Sequence, residues 1–244
     1  MTCIPAATER SLGLVIDLDI CVGCQACVTS CKEWNTGGHM APLTDIKPYG
    51  GGVDGVWFNR VHTLEHITEA GGRTVHFPRS CLHCAQPACV SVCPTGASYK
   101  RTSDGIVLVD EDKCIGCKLC SWACPYGARE FDVDVGVMKK CTLCVDRIYN
   151  EHLSVEDRVP ACVAACPTGA RHFGDLGDPD SAVSALVEER GGVRLMDELG
   201  YEPTNRYLPP RAHSERAPKV AAAALEDAAP QGGFLGWVDR VLSR

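Results

Sequence analysis

Apolar positions along this chain come in short bursts separated by polar and glycine-rich stretches, and the bursts follow two different periods. Leu14 to Ile20 and Ile106 to Asp110 are brief runs that each lead into a cysteine-rich loop, and they predict two short strands. Val56 to Glu65 and Arg73 to Phe77 predict two more, joined across Ala70-Gly71-Gly72. A helical period follows later: Val183, Leu186 and Val187 share a face, Asp178 is placed as N-cap with Pro179 in the first helical position, and Gly191 is the expected stop. Gly192 to Arg211, punctuated by proline, is expected to be extended, and the Ala- and Pro-rich residues 212–233 to form a linker. Beyond them Phe234, Trp237, Val238, Val241 and Leu242 fall on one face of a short helix, which needs a surface to hold it; docking on a membrane partner is the expectation. The longest aliphatic run, Val220 to Leu225, falls far short of the ~20 residues that cross a bilayer.

These bursts do not add up to a conventional core. The hydrophobic fraction of 45% includes seventeen cysteines. Without them it is about 38%, and aromatics are only 6%. A buried cofactor that cross-links distant segments would supply the missing interior. The net charge of −7 offers no basic stripe, so no nucleic-acid partner is expected. Met1 to Leu12 shows neither a secretory pattern nor a twin arginine, so a cytoplasmic location is expected, or the periplasmic face if a signal-bearing partner carries the chain across.

The cysteines themselves form four groups of four, with Cys3 left over as a free thiol near the N-terminus. The groups are Cys21, Cys24, Cys27, Cys31; Cys81, Cys84, Cys89, Cys93; Cys114, Cys117, Cys120, Cys124; and Cys141, Cys144, Cys162, Cys166. The first and third share the spacing C-x2-C-x2-C-x3-C, and their approach segments repeat too: Ile16-Asp17 and Asp19 lie 93 residues before Val109-Asp110 and Asp112. Three fourth-cysteines open near-identical turns, Cys93-Pro94-Thr95-Gly96-Ala97, Cys124-Pro125-Tyr126-Gly127-Ala128 and Cys166-Pro167-Thr168-Gly169-Ala170. Each full repeat therefore reads as strand, cysteine loop, and a short helix that carries the third and fourth cysteines until proline stops it.

Disulfides belong to oxidising compartments, which nothing at the N-terminus signals here. Zinc could suit the two pairs of the fourth group taken alone, but not the triple run closed by C-x3-C-P, which is the bacterial ferredoxin spacing. Three cysteines two residues apart can wrap three corners of an iron–sulfur cube, and the fourth reaches a second cube. On that rule four 4Fe-4S clusters are expected. The inner pair is Cys81, Cys84, Cys89 with Cys124, and Cys114, Cys117, Cys120 with Cys93. The outer pair is Cys21, Cys24, Cys27 with Cys166, and Cys141, Cys144, Cys162 with Cys31.

The expected fold is α+β: two nested bacterial-ferredoxin-like units with an inserted β arm and an extended C-terminal tail. Residues 12–36 plus 139–176 form the outer unit, 37–80 the surface arm, 81–138 the inner unit, 177–211 a helix and extended segment, and 212–244 the linker and tail helix. Lys32, not proline, follows Cys31, and is read either as a cation that raises a cluster potential or as a solvated residue. His83 is read as a surface residue or a hydrogen-bond partner behind the thiolates rather than an iron ligand, since four cysteines already fill its site; Trp122 is read as ordinary core, and Lys139-Lys140 as a solvated pair, with cluster tuning or partner contact as the alternatives.

With the motifs in place, the chain resembles the four-cluster iron–sulfur subunits of molybdopterin oxidoreductase complexes, including those of dimethyl sulfoxide, polysulfide and nitrate respiration. The resemblance lies in Cys-Val-Gly-Cys-Gln-Ala-Cys from Cys21, Cys-Leu-His-Cys from Cys81, Cys-Ile-Gly-Cys-Lys-Leu-Cys from Cys114 and Lys-Lys-Cys-Thr-Leu-Cys-Val-Asp-Arg from Lys139. Some relatives replace one inner-pair cysteine; all sixteen are present here. Cys31-Lys32-Glu33-Trp34-Asn35-Thr36, Val75-His76-Phe77-Pro78, Cys120-Ser121-Trp122-Ala123-Cys124 and Asn205-Arg206-Tyr207-Leu208-Pro209-Pro210-Arg211 look most like the iron–sulfur subunit of membrane-bound sulfite dehydrogenase. The resemblance implies an electron-transfer subunit with no catalytic residues of its own. Its partners would be a molybdopterin catalytic subunit and a multi-span membrane anchor that handles quinone, and sulfite oxidation to sulfate is the implied reaction. A sulfoxide, polysulfide or thiosulfate reductase would use similar wiring. A stand-alone polyferredoxin would not need the insertion or the tail, and a cluster enzyme would need an iron left open, whereas every site here has a fourth cysteine candidate.

Overall fold

Strand β1 (Leu12–Asp17) organises the chain, and all six of its residues are buried. It reads as a continuous apolar run because it is covered on both faces and paired on both edges. On one edge β8 (Arg171–Asp175) runs antiparallel, from Leu12 opposite Asp175 to Ile16 opposite Arg171. On the other, β9 (Arg206–Leu208) runs parallel beside Val15 to Asp17. Leu14 and Ile16 enter the main core with Val61, Leu82, Ile106, Leu143 and Tyr207, while Val15 packs with Val183 and Leu208 beneath α6 (Ala182–Arg190). Gly174 lets that helix close on the sheet, since a Cβ there would stand 2.8 Å from a Val183 methyl. β1 is shorter than the apolar run because the Asp17 carboxylate accepts the Asp19 N–H at 2.9 Å, turning the chain, and takes an ion pair from Arg190 at 2.7 Å.

The structure is a computed structural model that describes residues 4–36, 55–68 and 71–211. Cys3, residues 37–54 and the expected linker and tail helix at 212–244 lie outside the described residues. Residues up to Pro210 group as one compact unit. Among the described residues no helix is long and apolar enough to cross a membrane.

The two strands expected after position 55 form an antiparallel hairpin, β2 (Arg60–Thr68) with β3 (Gly71–Arg79). Gly71 and Gly72 are paired within β3 rather than making the turn. The base of the hairpin is core: Val61 is buried, Phe77 stacks on Tyr207 with ring centroids 4.5 Å apart, and the Tyr207 hydroxyl donates to the Pro78 carbonyl at 3.0 Å. Leu64, further out, is exposed.

Two other expectations need correction. The cap of α6 is Ser181, whose hydroxyl accepts the Ser184 N–H, while Asp178 closes a turn of its own by accepting the Asp180 N–H at 2.9 Å. Gly191 does end the helix, in the left-handed region. The segment from Gly192 is also not simply extended, for it contains a 3-10 turn at Asp197–Leu199 and then β9. Side chains there tie distant loops together. Asn205 accepts the Leu14 N–H at 2.9 Å and donates to the Cys81 carbonyl at 3.1 Å, and Thr204 donates to the His83 carbonyl at 2.8 Å.

Four short helices support the cysteine loops: α1 (Ala26–Thr36), α2 (Ala88–Ser91), α3 (Leu119–Trp122) and α5 (Ala161–Ala164). α1 packs against α5 and α2 against α3. The remaining elements are the hairpins β4 (Ser98–Lys100) with β5 (Val107–Val109) and β6 (Glu130–Asp132) with β7 (Val137–Lys139), and the helical turn α4 (Val145–Ile148).

Candidate cluster-binding sites

All four loops are built the same way. The residue before the second cysteine of each C-x-x-C pair is left-handed: Gly23, His83, Gly116 and Leu143 have φ of 67°, 47°, 66° and 57°. The bend wraps the loop and turns its N–H groups toward the sulfurs, an arrangement suited to an anion. Glycine takes this conformation freely; His83 and Leu143 take it at a cost and are held by burial. The third cysteine of each group then sits in a short helix, Cys27 in α1, Cys89 in α2, Cys120 in α3 and Cys162 in α5.

Those helices bring cysteines of different groups together. One cavity is lined by Cys21, Cys24 and Cys27 with Cys166, and another by Cys114, Cys117 and Cys120 with Cys93. Cys84 lies among Cys81, Cys89 and Cys124, and Cys31 among Cys141, Cys162 and Cys144; burial first, and then these neighbours, push both thiols up. Cys141 also faces Cys81. All sixteen described cysteines are free thiols. Among the described residues no three Cys, His, Asp or Glu side chains converge on a single metal ion.

Burial dominates the thiol chemistry. It pushes Cys141 up to about 12, against the nearby Lys140, and Cys162 up to about 11, against Arg171. Such thiols ionise only when a metal takes the proton's place. Cys93 and Cys166 go the other way, since the donors around them outweigh burial: the Ser98 N–H and Thr95 hydroxyl for the first, the Thr168 hydroxyl and Ala170 N–H for the second.

The interior is also strongly cationic. Among the described residues the buried charged side chains are five bases, Lys32, Arg60, Arg129, Lys140 and Arg171, against two acids, Asp17 and Asp104. In a chain of net charge −7, an interior with an excess of positive charge needs buried anions to be tolerable. Arg129 donates to the Cys89 sulfur at 2.8 Å and the Ser98 hydroxyl at 2.7 Å, which leaves its other terminal nitrogen without a hydrogen-bond partner. Arg171 donates to Asn59 at 2.9 Å, and its Nε and Nη1 have no hydrogen-bond partner. Buried guanidinium donors left over beside ringed thiols fit anionic iron–sulfur clusters held by thiolates. Sequence reasoning missed both arginines. The signal was one residue past the repeated turns, where Ser98, Arg129 and Arg171 are equivalent.

Several flagged residues lie elsewhere than expected. Trp122 is not core; at 86% exposure it stands in solvent, because Cys120 faces inward and a residue two positions on points away from it around the helix. Ile115 and Leu119 are exposed with it, close to the exposed Cys117. Lys32 and the Lys139-Lys140 pair are not solvated. Lys32 is buried, donates to the Val56 carbonyl at 3.0 Å and lies over the Trp57 ring; burial lowers its pKa. Lys140 is buried on the Val107 and Cys141 carbonyls, and Lys139 pairs with Asp132 at 3.1 Å. His83 is fully buried rather than at the surface, and its Nδ1 accepts the Val107 N–H at 3.1 Å. Burial, with Lys140, Lys100 and Arg129 nearby, keeps it neutral.

Comparison with known proteins agrees with this geometry. Residues 73–176 match a 4Fe-4S dicluster domain and residues 18–35 a 4Fe-4S binding domain. The chain is 64% identical over 200 residues to a sulfite dehydrogenase subunit of Allochromatium vinosum, covering 82% of this chain and 83% of that protein. It is 38% identical over 227 residues to a putative dimethyl sulfoxide reductase iron-sulfur subunit of Halobacterium salinarum, covering 80% and 78%. To one of the chains of the anaerobic dimethyl sulfoxide reductase of Escherichia coli it is 33% identical over 230 residues, covering 93% and 95%.

Proposed function

This chain belongs to the family of iron–sulfur subunits that includes those of sulfite dehydrogenase and dimethyl sulfoxide reductase, and on that premise we propose that it relays electrons from sulfite oxidation. The catalytic partner is a molybdopterin subunit that converts sulfite to sulfate, and the acceptor is a multi-span membrane subunit that reduces quinone. The substrate reading follows the 64% identity to the sulfite dehydrogenase subunit, well above the 38% shared with the Halobacterium salinarum protein.

The observation that carries the relay is the continuity of the cysteine sets. Arg171 lies between the Cys21 loop and Cys162, Cys141 faces Cys81, and Arg129 lies between Cys89 and the Cys114 loop. The order is therefore Cys21 set, Cys141 set, Cys81 set, Cys114 set, with an exposed cysteine, Cys24 or Cys117, at each end. Exposed ends give each partner one terminus of the series. When bound, the four 4Fe-4S clusters supply one-electron redox chemistry. The ligand sets are the crossed ones: Cys166, Cys31, Cys124 and Cys93 close the first, second, third and fourth sets in that order. The exchange divides the chain into an outer ferredoxin-like unit, 12–36 with 139–176, and an inner unit, 81–138, with the hairpin region 37–80 as an inserted arm. The subunit sits peripherally on the inner face of the cytoplasmic membrane.

The test is anaerobic co-purification followed by addition of sulfite. The expected result is about sixteen iron and sixteen sulfide per chain, as four cubanes require, with cluster reduction by sulfite only when the molybdopterin subunit is present. Oxidation of pre-reduced clusters by dimethyl sulfoxide, with no response to sulfite, would replace the substrate reading. Stoichiometric zinc without visible absorption would overturn the relay.

A further inference from the structure

We infer that Arg129 and Arg171 each act on two clusters at once, as a shared counter-charge that raises both of their reduction potentials together. The inference deepens the relay reading and rests on four loaded clusters. It does not rest on the crossing of fourth ligands, because each arginine touches the same two loops whether or not the fourth cysteines are exchanged.

The geometry is a bridge in both cases. Arg129 follows Cys124 by five residues and lines the cavity of Cys114, Cys117 and Cys120, yet its Nη2 donates to Cys89 of the neighbouring set at 2.8 Å. Arg171 follows Cys166 by five residues and lines the cavity of Cys21, Cys24 and Cys27, yet it opens β8, the strand packed against α5, which carries Cys162 of the next set. Both side chains are buried and both keep donors with no hydrogen-bond partner.

The third equivalent position shows that the pattern follows pairs of sets rather than turns. After Cys93 it is Ser98, and Ser98 is itself a hydrogen-bond acceptor for Arg129. Two arginines therefore serve four sets, one bridging the Cys21 and Cys141 sets and one the Cys81 and Cys114 sets, and neither spans the middle step from Cys141 to Cys81. Each one-electron reduction adds a negative charge to a cluster in a poorly screened interior, so a fixed cation beside both clusters favours the reduced form of each. Hydrogen bonds to the sulfurs act in the same direction.

The experiment is a potentiometric titration followed by electron paramagnetic resonance on the anaerobically purified protein, wild type against Arg129→Met and Arg171→Met, with iron counted in each sample. A full iron count in wild type is the control for the relay reading. Arg129→Met should lower the midpoints of the Cys81 and Cys114 sets together, each by roughly tenfold in its reduction equilibrium, about 59 mV for one electron. The other two midpoints should hold. Arg171→Met should do the same to the Cys21 and Cys141 sets, and lysine at either position should restore part of both shifts. If a methionine variant loses iron, glutamine, which keeps donors without the charge, carries the same test. A shift confined to one cluster, an equal shift of all four, or no shift overturns the proposal. Loss of iron in every methionine and glutamine variant also overturns it, in favour of a purely structural role.

Discussion

The Cys21 and Cys114 loops share their cysteine spacing, a left-handed glycine and an approach strand, but the helices behind them end differently. α3 stops after four residues, just before Cys124 and Pro125, whereas α1 runs for eleven, because Lys32 follows Cys31 and a proline does not. The longer helix gives its cysteine a second layer of contacts. The Asn35 amide reaches the sulfurs of Cys31 at 3.6 Å and Cys144 at 3.5 Å, and Trp34 donates to Asp146 at 2.8 Å. The shorter helix leaves Trp122 in solvent and hands the chain to the turn that delivers Arg129. One residue after a ligand thus decides whether a helix supports the neighbouring site or exposes its own.

The largest effect comes from removing the cysteines that close the two repeats. Cys124→Ser is expected to empty the site at Cys81, Cys84 and Cys89, and Cys31→Ser the one at Cys141, Cys144 and Cys162, each lowering iron from about sixteen to about twelve per chain. Spectra placing the damage at the altered cysteine's own loop would break the crossed reading. Next, Lys32→Pro makes the first repeat imitate the third. A proline inside α1 should cost about 3 kcal/mol or more and detach Asn35 and Trp34, seen as bleaching of the visible absorbance at lower denaturant.

Two smaller changes sharpen the contrast. Asn35→Ala removes a donor from Cys31 and Cys144 without breaking the helix, so one cluster midpoint should fall by less than in the arginine variants while iron stays complete. Trp122→Ala should change stability by no more than about 0.5 kcal/mol, since the side chain is exposed, yet weaken capture of a partner subunit in a pull-down. Unchanged capture would make its exposure incidental.

The cysteine groups, the approach strands and the hairpin were legible in the sequence because spacing and period are local. What lay beyond that reach was burial. Trp122 looked like core by its type, Lys140 looked solvated by its own, and Lys32 stood open between solvent and a cluster, but an interior built around thiols takes in cations and leaves little room for aromatic bulk. The cap of α6 went to Ser181 over Asp178 because two acceptors competed within one short loop, and local pattern does not rank them. The arginines were visible in the repeat, but their role depends on contacts between residues forty positions apart.

The pairing of β1 with β8 joins Leu12 to Asp175, so the central strand has no partner on that edge until most of the chain has left the ribosome. α2, α3 and the β4–β5 hairpin need only residues 88–122. The middle of the chain can therefore close while the tail end is still being made, and the first loop must wait, its thiols open to oxidation and to stray metals. Biogenesis should proceed from the inside outward, and factors that deliver iron and sulfide would meet the Cys114 loop first, since the Cys81 loop is completed only when Thr204 and Asn205 arrive.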